Sequence, residues 1–190
     1  MPEALTGVVL AGGRSRRMGR DKAFLTLDGV TLVRRQALLL ASVGCSEILI
    51  SGRPSVDYEV PGARVILDPV ADAGPLGGLV AALSAMTHPR LLALAVDLPH
   101  MTPAFLQRLI AAGNERVSVV PHGPHGYEPL GACYAPTLAA PARAALARGE
   151  LSLQTLMAQA EESGLIRRIP LGSDEERAFA NWNLPTDVAP

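Results

Sequence analysis

The sequence predicts an α/β fold in which helices cover both faces of a mostly parallel sheet. Short apolar runs alternate along the chain with longer stretches of helical spacing, a pattern typical of doubly wound sheets. Apolar residues make up 48% of the 190 residues and only 18% are charged, so the chain can bury one sizeable core. Because no linker, repeat or low-complexity segment divides the chain, we expect a single three-layer α/β/α domain over residues 1–190.

The expected elements follow one another in a regular order. Thr102 and Pro103 mark a helix start, as an N-cap and a first-turn proline, and Ser152 caps a later helix. Gly74-Pro75 is expected to break the chain before its helix. The predicted strands are 7–10, 47–50, 64–67, 90–96, 115–120, 127–134 and 166–170, and the predicted helices are 31–43, 76–86, 103–112, 137–148 and 153–162.

Composition argues against several classes of function. A net charge of −1 and an aromatic content of 4% disfavour a nucleic-acid-binding protein, which needs a basic face or stacking platforms. No run approaches the roughly 18 apolar residues of a membrane span, and the N-terminus lacks the basic region of a signal peptide. Cys45 and Cys133 stand alone, which disfavours a disulfide framework or zinc site. We therefore expect a cytoplasmic enzyme that contacts neither nucleic acid nor membrane.

The stretch from Leu10 to Lys22 combines small residues with positive charge directly after the first strand. Gly12-Gly13 lets backbone N–H groups approach an anion, and four arginines and a lysine fall within residues 14–22. An exposed arginine-rich loop would explain the charge alone, but it would not need the paired glycines. We interpret the stretch as a triphosphate-binding loop, with Lys22 placed to reach a terminal phosphate.

The loop matches neither of the two common nucleotide-binding fingerprints. A Walker A loop requires G-x-x-x-x-G-K-[ST], whereas Gly19 is followed by Arg20. A dinucleotide fingerprint requires G-x-G-x-x-G, whereas Gly12 and Gly13 are adjacent. Ordinary P-loop NTPases and NAD dehydrogenases are therefore disfavoured.

Asp68 directly follows the third predicted strand and precedes a helix with two glycines in its first turn. Gly77 and Gly78 cost helix propensity, roughly 1 kcal/mol each relative to alanine. Close packing of the helix on the sheet would explain them, and so would a flat nucleobase lying against bare backbone. Both interpretations can hold together.

Asp97 follows the most continuous apolar run, which we expect to be a central strand. A carboxylate at the tip of such a strand is suited to hold Mg²⁺, which commonly takes one or two carboxylates together with substrate phosphates and water. The alternative is that Asp97 only caps the turn that follows it.

Three further features lie near the C-terminal half of the chain. Glu128 is a polar residue within a strand-like segment. His122 and His125 resemble a metal-binding pair, but without a third ligand a solvated turn is favoured. Asn181 and Asn183 flank the single tryptophan, which offers stacking and two amides or simply anchors the tail.

Together these motifs resemble those of the molybdenum cofactor guanylyltransferases, a family of the nucleotidyltransferase superfamily. The first motif is shared across that superfamily, and the later ones make the resemblance specific. The matching motifs are Leu10-Ala11-Gly12-Gly13-x-Ser15-x-Arg17-Met18-Gly19-x-Asp21-Lys22, Asp68 before Gly74-Pro75-Leu76, Asp97-Leu98-Pro99, Glu128-Pro129-Leu130 and Asn181-x-Asn183-x-Pro185-x-Asp187. The resemblance implies a Rossmann-like sheet of the nucleotide-diphospho-sugar transferase type.

The resemblance and the loop interpretations above give each candidate residue a role. The segment Ile50–Arg53 departs from the family pattern because it lacks the asparagine that often helps to hold the nucleotide, so no residue there is assigned. The assigned residues are Arg17, Lys22 and Asp97 for catalysis; Leu10, Ala11, Gly12, Gly13, Lys22, Asp68, Gly77 and Asp97 for GTP; Glu128, Asn181 and Asn183 for molybdopterin; and Asp97 for Mg²⁺.

The implied reaction transfers GMP from GTP to molybdopterin and releases pyrophosphate, with Mg²⁺ as cofactor. Such transfer relies on alignment and charge neutralisation rather than on a protein nucleophile. The resemblance also implies transient contact with proteins that deliver molybdopterin and mature molybdoenzymes. The alternatives are a transferase that uses CTP on the same pterin or an NTP on a sugar phosphate, and a non-catalytic GTP-binding module.

Overall fold

The structure is a computed structural model that describes residues 4–12 and 21–180. Its strands are β1 (Leu5–Leu10), β2 (Thr26–Leu27), β3 (Val30–Thr31), β4 (Cys45–Gly52), β5 (Arg64–Leu67), β6 (Leu91–Ala95), β7 (Ser118–Gly123), β8 (Gly126–Tyr127), β9 (Gly131–Tyr134) and β10 (Ile166–Pro170). Its helices are α1 (Leu32–Ser42), α2 (Gly74–Ala85), α3 (Pro103–Ala112), α4 (Ala139–Ala147) and α5 (Leu153–Glu162). Short 3₁₀ helices cover Lys22–Phe24, Pro136–Leu138 and Glu176–Phe179.

The central sheet has the strand order β10-β7-β9-β6-β1-β4-β5, with β8 paired to β7. β5, β4, β1 and β6 are parallel neighbours, and β10 is parallel to β7. β9 lies between β6 and β7 and runs antiparallel to both. The predicted mostly parallel sheet is confirmed. The carboxyl ends of the parallel strands and the start of β9 therefore meet at one edge.

Helices cover both faces of this sheet because successive strand residues point to opposite sides. Val9 and Leu94 pack in one buried cluster with residues of α1 and α3. Val8 and Ala93 pack in the other, with residues of α2, α4 and α5. Every residue of β6 is buried, as expected for a strand covered on both faces. The predicted three-layer α/β/α arrangement is confirmed.

Some predicted boundaries are wrong for local reasons. α2 begins at Gly74 rather than near Leu76, since Pro75 occupies the first turn, where its missing N–H is not needed. The predicted strand 127–134 is split into β8 and β9. Pro129 lies in the turn between them and has no backbone N–H to donate to a ladder.

The prediction for α3 holds closely, whereas the predicted start of β7 does not. α3 spans the predicted residues, and the Thr102 side chain accepts a hydrogen bond of 3.3 Å from the Phe105 N–H. β7 starts at Ser118, later than predicted, because the Asn114 side chain accepts from the N–H groups of Arg116 and Val117 at 2.8 and 2.9 Å.

Within the described residues, no helix has the length and apolar character needed to span a membrane.

Candidate active site

A cleft of about 1220 Å³ opens at the carboxyl edge of the sheet. Its walls come from the ends of β1, β4, β5 and β6 and from the start of α2, where sheets of this type bind their ligands. The lining includes these predicted site residues: Leu10, Ala11, Gly12, Lys22, Asp68 and Asp97. It also includes charged or polar residues that the sequence reasoning did not assign, namely Asp21, Ser51, Arg53 and Asp72.

Lys22 and Asp97 form an ion pair in this cleft, with 2.8 Å between Nζ and Oδ2. Their side chains are 18% and 22% exposed, so the pair is largely screened from solvent while still open to a ligand. A backbone hydrogen bond joins the end of β1 to the residue after β6, because the Val96 N–H donates to the Leu10 carbonyl at 3.2 Å. The hydrogen bond that the Lys22 ammonium donates holds the Asp97 carboxylate in the cleft lining, where a ligand can reach it.

Gln36 of α1 holds the turn that carries Asp97. Its side chain is 1% exposed, and its Nε2 donates to the Leu98 carbonyl at 2.6 Å. The same carbonyl accepts from the Met101 N–H at 3.2 Å. This hydrogen bond ties α1 to the turn and satisfies the nitrogen of the buried amide, whereas the Gln36 Oε1 is buried and accepts no hydrogen bond from the described residues. The sequence showed Gln36 only as one position of helical spacing among leucines.

Asp68 pairs with Ser51 on the other side of the cleft. The Ser51 hydroxyl donates to Asp68 Oδ1 at 3.0 Å, and the Ser51 carbonyl accepts from the Ala11 N–H at 2.8 Å. Burial raises the pKa of Asp68, and the hydrogen bond from Ser51 opposes that rise. Sequence reasoning missed Ser51, although a small hydroxyl residue near the end of a strand was a usable signal.

Gly77 and Gly78 are needed because α2 packs directly on this pair. A Cβ at Gly78 would lie 2.5 Å from Ser51 Oγ, which real side chains do not tolerate. A Cβ at Gly77 would lie 3.1 Å from Asp68 Oδ2 and 2.8 Å from the Ala73 Cβ. The predicted close packing is therefore present. It brings the backbone of α2 close to the carboxylate of Asp68.

Asp21 and Arg53 form a second ion pair in the cleft, through Oδ2 and Nη2. Asp21 is 12% exposed and Arg53 is 48% exposed. The backbone of Arg53 is fixed, because its N–H donates to the buried hydroxyl of Tyr58 at 2.9 Å. Sequence reasoning left the segment Ile50–Arg53 without a role.

Glu128 lies at the same edge of the sheet but outside the cleft lining. It follows β8, and its N–H donates to the Pro121 carbonyl at 2.8 Å. Leu130, two residues further along the same turn, lines the cleft, and its carbonyl accepts from the Ala95 N–H at 2.7 Å. Burial raises the pKa of Glu128, while nearby His125 opposes the rise. Glu128 is thus a half-buried carboxylate beside the Asp97 end of the cleft.

Phe179, which precedes the C-terminal residues Asn181 and Asn183 in the sequence, lies near Glu128 at the start of β9. Phe179 packs edge-to-face on Phe105, with 5.5 Å between ring centroids. Its ring also covers Gly131, where a Cβ would lie 2.7 Å from it. The start of the tail is therefore held beside β9. The predicted site residues Gly13, Arg17, Asn181 and Asn183 lie outside the described residues.

The described cleft walls carry more negative than positive charge. Asp21, Asp68, Asp72 and Asp97 face only Lys22 and Arg53 among the charged lining residues. Three or more His, Cys, Asp or Glu side chains nowhere converge on a metal-binding geometry in residues 4–12 and 21–180. A divalent ion fits here through the Asp97 carboxylate, with phosphates and water completing its shell, as is common for Mg²⁺.

Comparison with known proteins is consistent with this arrangement. The sequence model of one family, the MobA-like NTP transferase domain, matches residues 7–163. A probable molybdenum cofactor guanylyltransferase from Opitutus terrae is 40% identical over 187 residues, covering 97% of this chain and 93% of that protein. One from Pelotomaculum thermopropionicum is 33% identical, covering 96% of this chain and 89% of that protein.

Solved structures include one with a closely similar fold. Molybdopterin-guanine dinucleotide biosynthesis protein A from Archaeoglobus fulgidus superposes with a TM-score of 0.76. It is 25% identical, and the match covers 96% of this chain and 94% of that chain. The resemblance in sequence and the likeness in fold therefore extend over nearly the whole chain.

Proposed function

The chain belongs to the family of MobA-like NTP transferase domains, and on that premise we propose that it transfers GMP from GTP to molybdopterin. The observation that carries the proposal is the Lys22–Asp97 pair, 2.8 Å apart at the centre of the sheet edge. A phosphate oxygen of molybdopterin attacks the α-phosphorus of GTP, the bond from that phosphorus to the β-phosphate bridge breaks, and pyrophosphate leaves. The product is molybdopterin guanine dinucleotide.

The strand order supports a placement of GTP and molybdopterin on opposite sides of Asp97. The stretch from Leu10 to Lys22, which we call the signature loop, begins at the end of β1. Along the same edge, Asp68 follows β5, Ser51 lies in β4, Asp97 follows β6, and Glu128 precedes β9. Asp97 thus separates an Asp68 side from a Glu128 side. With the guanine on the first side and the pterin on the second, the α-phosphate falls near Asp97, where the two substrates must meet.

The wall around Asp68 suits a guanine base. The Watson–Crick edge of guanine presents two adjacent N–H donors, and a carboxylate can accept both. Ser51 fixes one oxygen of Asp68 through its hydroxyl, at 3.0 Å. Gly78 lines the cleft, and Gly77 lets α2 pack closely against Asp68, so we assign both glycines to the wall that receives the base. Leu10, Ala11 and Gly12 line the same cleft, and we assign to them backbone contacts with the same nucleotide through the groups that the sheet does not use.

The charged residues of the cleft serve alignment and charge neutralisation. Mg²⁺, when held by Asp97, supplies Lewis-acid charge and a template for phosphate oxygens. Lys22, once it exchanges Asp97 for phosphate, offsets charge on the departing pyrophosphate. We assign the same task to Arg17 and anion-binding backbone to Gly13, both in the signature loop. Each such contact in a closed site contributes on the order of 3–4 kcal/mol, or a few hundredfold in rate.

The acceptor side is assigned to Glu128, Asn181 and Asn183. Glu128 lies beside the Asp97 end of the cleft, and Phe179 holds the start of the tail against β9. A half-buried carboxylate and two amides can hydrogen-bond the donor-rich edge of a pterin. We also expect transient contact with proteins that deliver molybdopterin or receive the product.

The proposal is tested by incubating the protein with GTP, Mg²⁺ and molybdopterin, with and without molybdate, and analysing the products by mass. We expect the guanine dinucleotide and pyrophosphate in equal amounts. Parallel incubations with CTP and UTP, and with a sugar phosphate in place of the pterin, examine the related transferases. GTP binding without pyrophosphate release would instead identify a non-catalytic module and contradict the proposal.

A further inference from the structure

We propose that Arg53 is a further triphosphate-binding residue and that Asp21 competes with the nucleotide for its guanidinium. The inference rests on the proposed function, because it adds a residue to the same GTP site. The observation behind it is the Asp21–Arg53 ion pair inside the cleft, on a segment that sequence reasoning left without a role.

Strand order places Arg53 on the path of the triphosphate. It directly follows β4, which lies between β5 and β1. A nucleotide that extends from Asp68, after β5, to Asp97, after β6, must cross the end of β4. Arg53 and Lys22 are the two cationic side chains on the described walls of this path.

The guanidinium of Arg53 can change partners. Its side chain is about half exposed, and its ion pair joins one terminal nitrogen to one Asp21 oxygen. Exposed ion pairs are weak, whereas a guanidinium binds phosphate oxygens through two parallel hydrogen bonds. A triphosphate carries more charge than a single carboxylate, so it competes effectively for Arg53.

Only the side chain must move, because the surrounding backbone is fixed. Tyr58 is 2% exposed, and its hydroxyl accepts from the Arg53 N–H at 2.9 Å. Its ring lies against Gly52, where a Cβ would be 2.5 Å away. Phe24 stacks on the same ring, with 5.8 Å between centroids and an interplanar angle of 4°. Arg53 and the Lys22–Phe24 helix therefore share one support.

Asp21 has a structural role that can be separated from its charge. Its Oδ1 accepts from the Ala23 N–H at 3.1 Å and caps the short helix that carries Lys22. Asp21→Asn keeps an oxygen for this cap and removes the charge that holds Arg53. If the ion pair is purely structural, Asp21→Asn should weaken GTP binding. If Asp21 competes with the triphosphate for Arg53, the same substitution should tighten it.

The test is a double-mutant cycle of Arg53→Gln and Asp21→Asn, with binding of GTP in Mg²⁺ measured by calorimetry. We expect Arg53→Gln to weaken GTP binding about tenfold, the loss of a hydrogen-bonded charge. We expect Asp21→Asn to tighten it about threefold, and we expect that gain to vanish when Arg53→Gln is also present. Guanosine, which has no phosphate, should bind all four proteins equally.

Arg148→Gln is the matched control, because Arg148 pairs with Glu150 on an exposed surface away from the cleft. Equal weakening by both single variants would show a structural ion pair and overturn the proposal. So would unchanged GTP affinity in Arg53→Gln, or tightening by Asp21→Asn that persists without Arg53.

Wild-type turnover, measured on the same preparation, separates this inference from the proposed function. A wild-type protein that forms the dinucleotide while the cycle shows no coupling overturns the role of Arg53 alone. A wild-type protein that binds no GTP overturns both.

Discussion

Lys22 Nζ lies 2.8 Å from Asp97 Oδ2, although 75 residues separate them in the chain. Lys22 belongs to the segment after β1, and Asp97 follows β6, the parallel neighbour of β1. In the function proposed above, the pair joins the cation assigned to phosphate and the carboxylate assigned to Mg²⁺ in one contact. Entry of a metal-bound nucleotide would then give each of them a new partner of opposite charge.

Asp97→Asn should reduce turnover by several hundredfold or more while the protein stays folded. The amide keeps the size of the side chain but lacks the charge that a hard cation requires. Turnover is measured as pyrophosphate release across a range of Mg²⁺ concentrations. Asp57→Asn is the control, because Asp57 is exposed and outside the cleft. Wild-type Mg²⁺-dependent turnover in Asp97→Asn would contradict the metal assignment.

Lys22 should be protected from amine-directed reagents by GTP. It is the only lysine in the sequence, so its modification can be followed by peptide mapping without competing lysines. We expect GTP with Mg²⁺ to slow modification about tenfold or more, because phosphate contact buries the amine, and guanosine to protect far less. Equal protection by guanosine would place Lys22 away from the phosphates.

Gly78→Ala should lower both the melting temperature and the affinity for GTP. The added methyl group would lie 2.5 Å from Ser51 Oγ and 3.1 Å from Leu10 Cδ2, and overpacking of this kind typically costs about 1–3 kcal/mol. Ser51→Ala in the same chain removes the closest contact and should recover part of the melting temperature. Gly172→Ala is the control, because its Cβ meets no atom nearer than 3.5 Å. A fully stable Gly78→Ala protein would show that α2 can shift.

Asp68→Asn should stabilise the free protein at neutral pH and weaken its binding of GTP. Burial raises the pKa of Asp68, so the folded state disfavours the ionised carboxylate. That unfavourable contribution is absent below the ordinary pKa of about 3.9 and is fully present above the raised one. Wild-type stability should therefore fall, relative to Asp68→Asn, as pH rises through that window. Thermal unfolding from pH 3 to 7 measures the difference, and a gap that does not depend on pH would contradict this account.

The order of the elements and the edge that holds the site could be predicted from the sequence. Alternating apolar runs and helical segments are local patterns, and the carboxyl ends of parallel strands meet at one edge by geometry. This geometry is the reason that the sequence points to Lys22, Asp68 and Asp97. Asp68 and Asp97 follow strands, and Lys22 ends the loop that follows the first strand. The capping signals of Thr102 and Ser152 are likewise local, and both hold in the structure.

Only the tertiary structure showed the contacts that depend on packing between distant segments. Gln36 holds the turn after Asp97 across 62 residues, and Ser51 orients Asp68 across 17. Arg53 pairs with Asp21, 32 residues away, while Tyr58 accepts a hydrogen bond from the backbone N–H of Arg53. No local pattern marks such residues, because their partners are brought together only when the sheet orders its strands.

The sequence by itself therefore determined the order of the main strands and helices and the edge of the sheet at which the proposed site lies. The tertiary structure decided which side chains meet there. The physical reason is that backbone preferences and apolar periodicity act over a few residues, whereas hydrogen bonds and ion pairs act over a few ångströms of space. The Lys22–Asp97 pair needed both: two residues placed by local pattern, and neighbouring parallel strands that set them 2.8 Å apart.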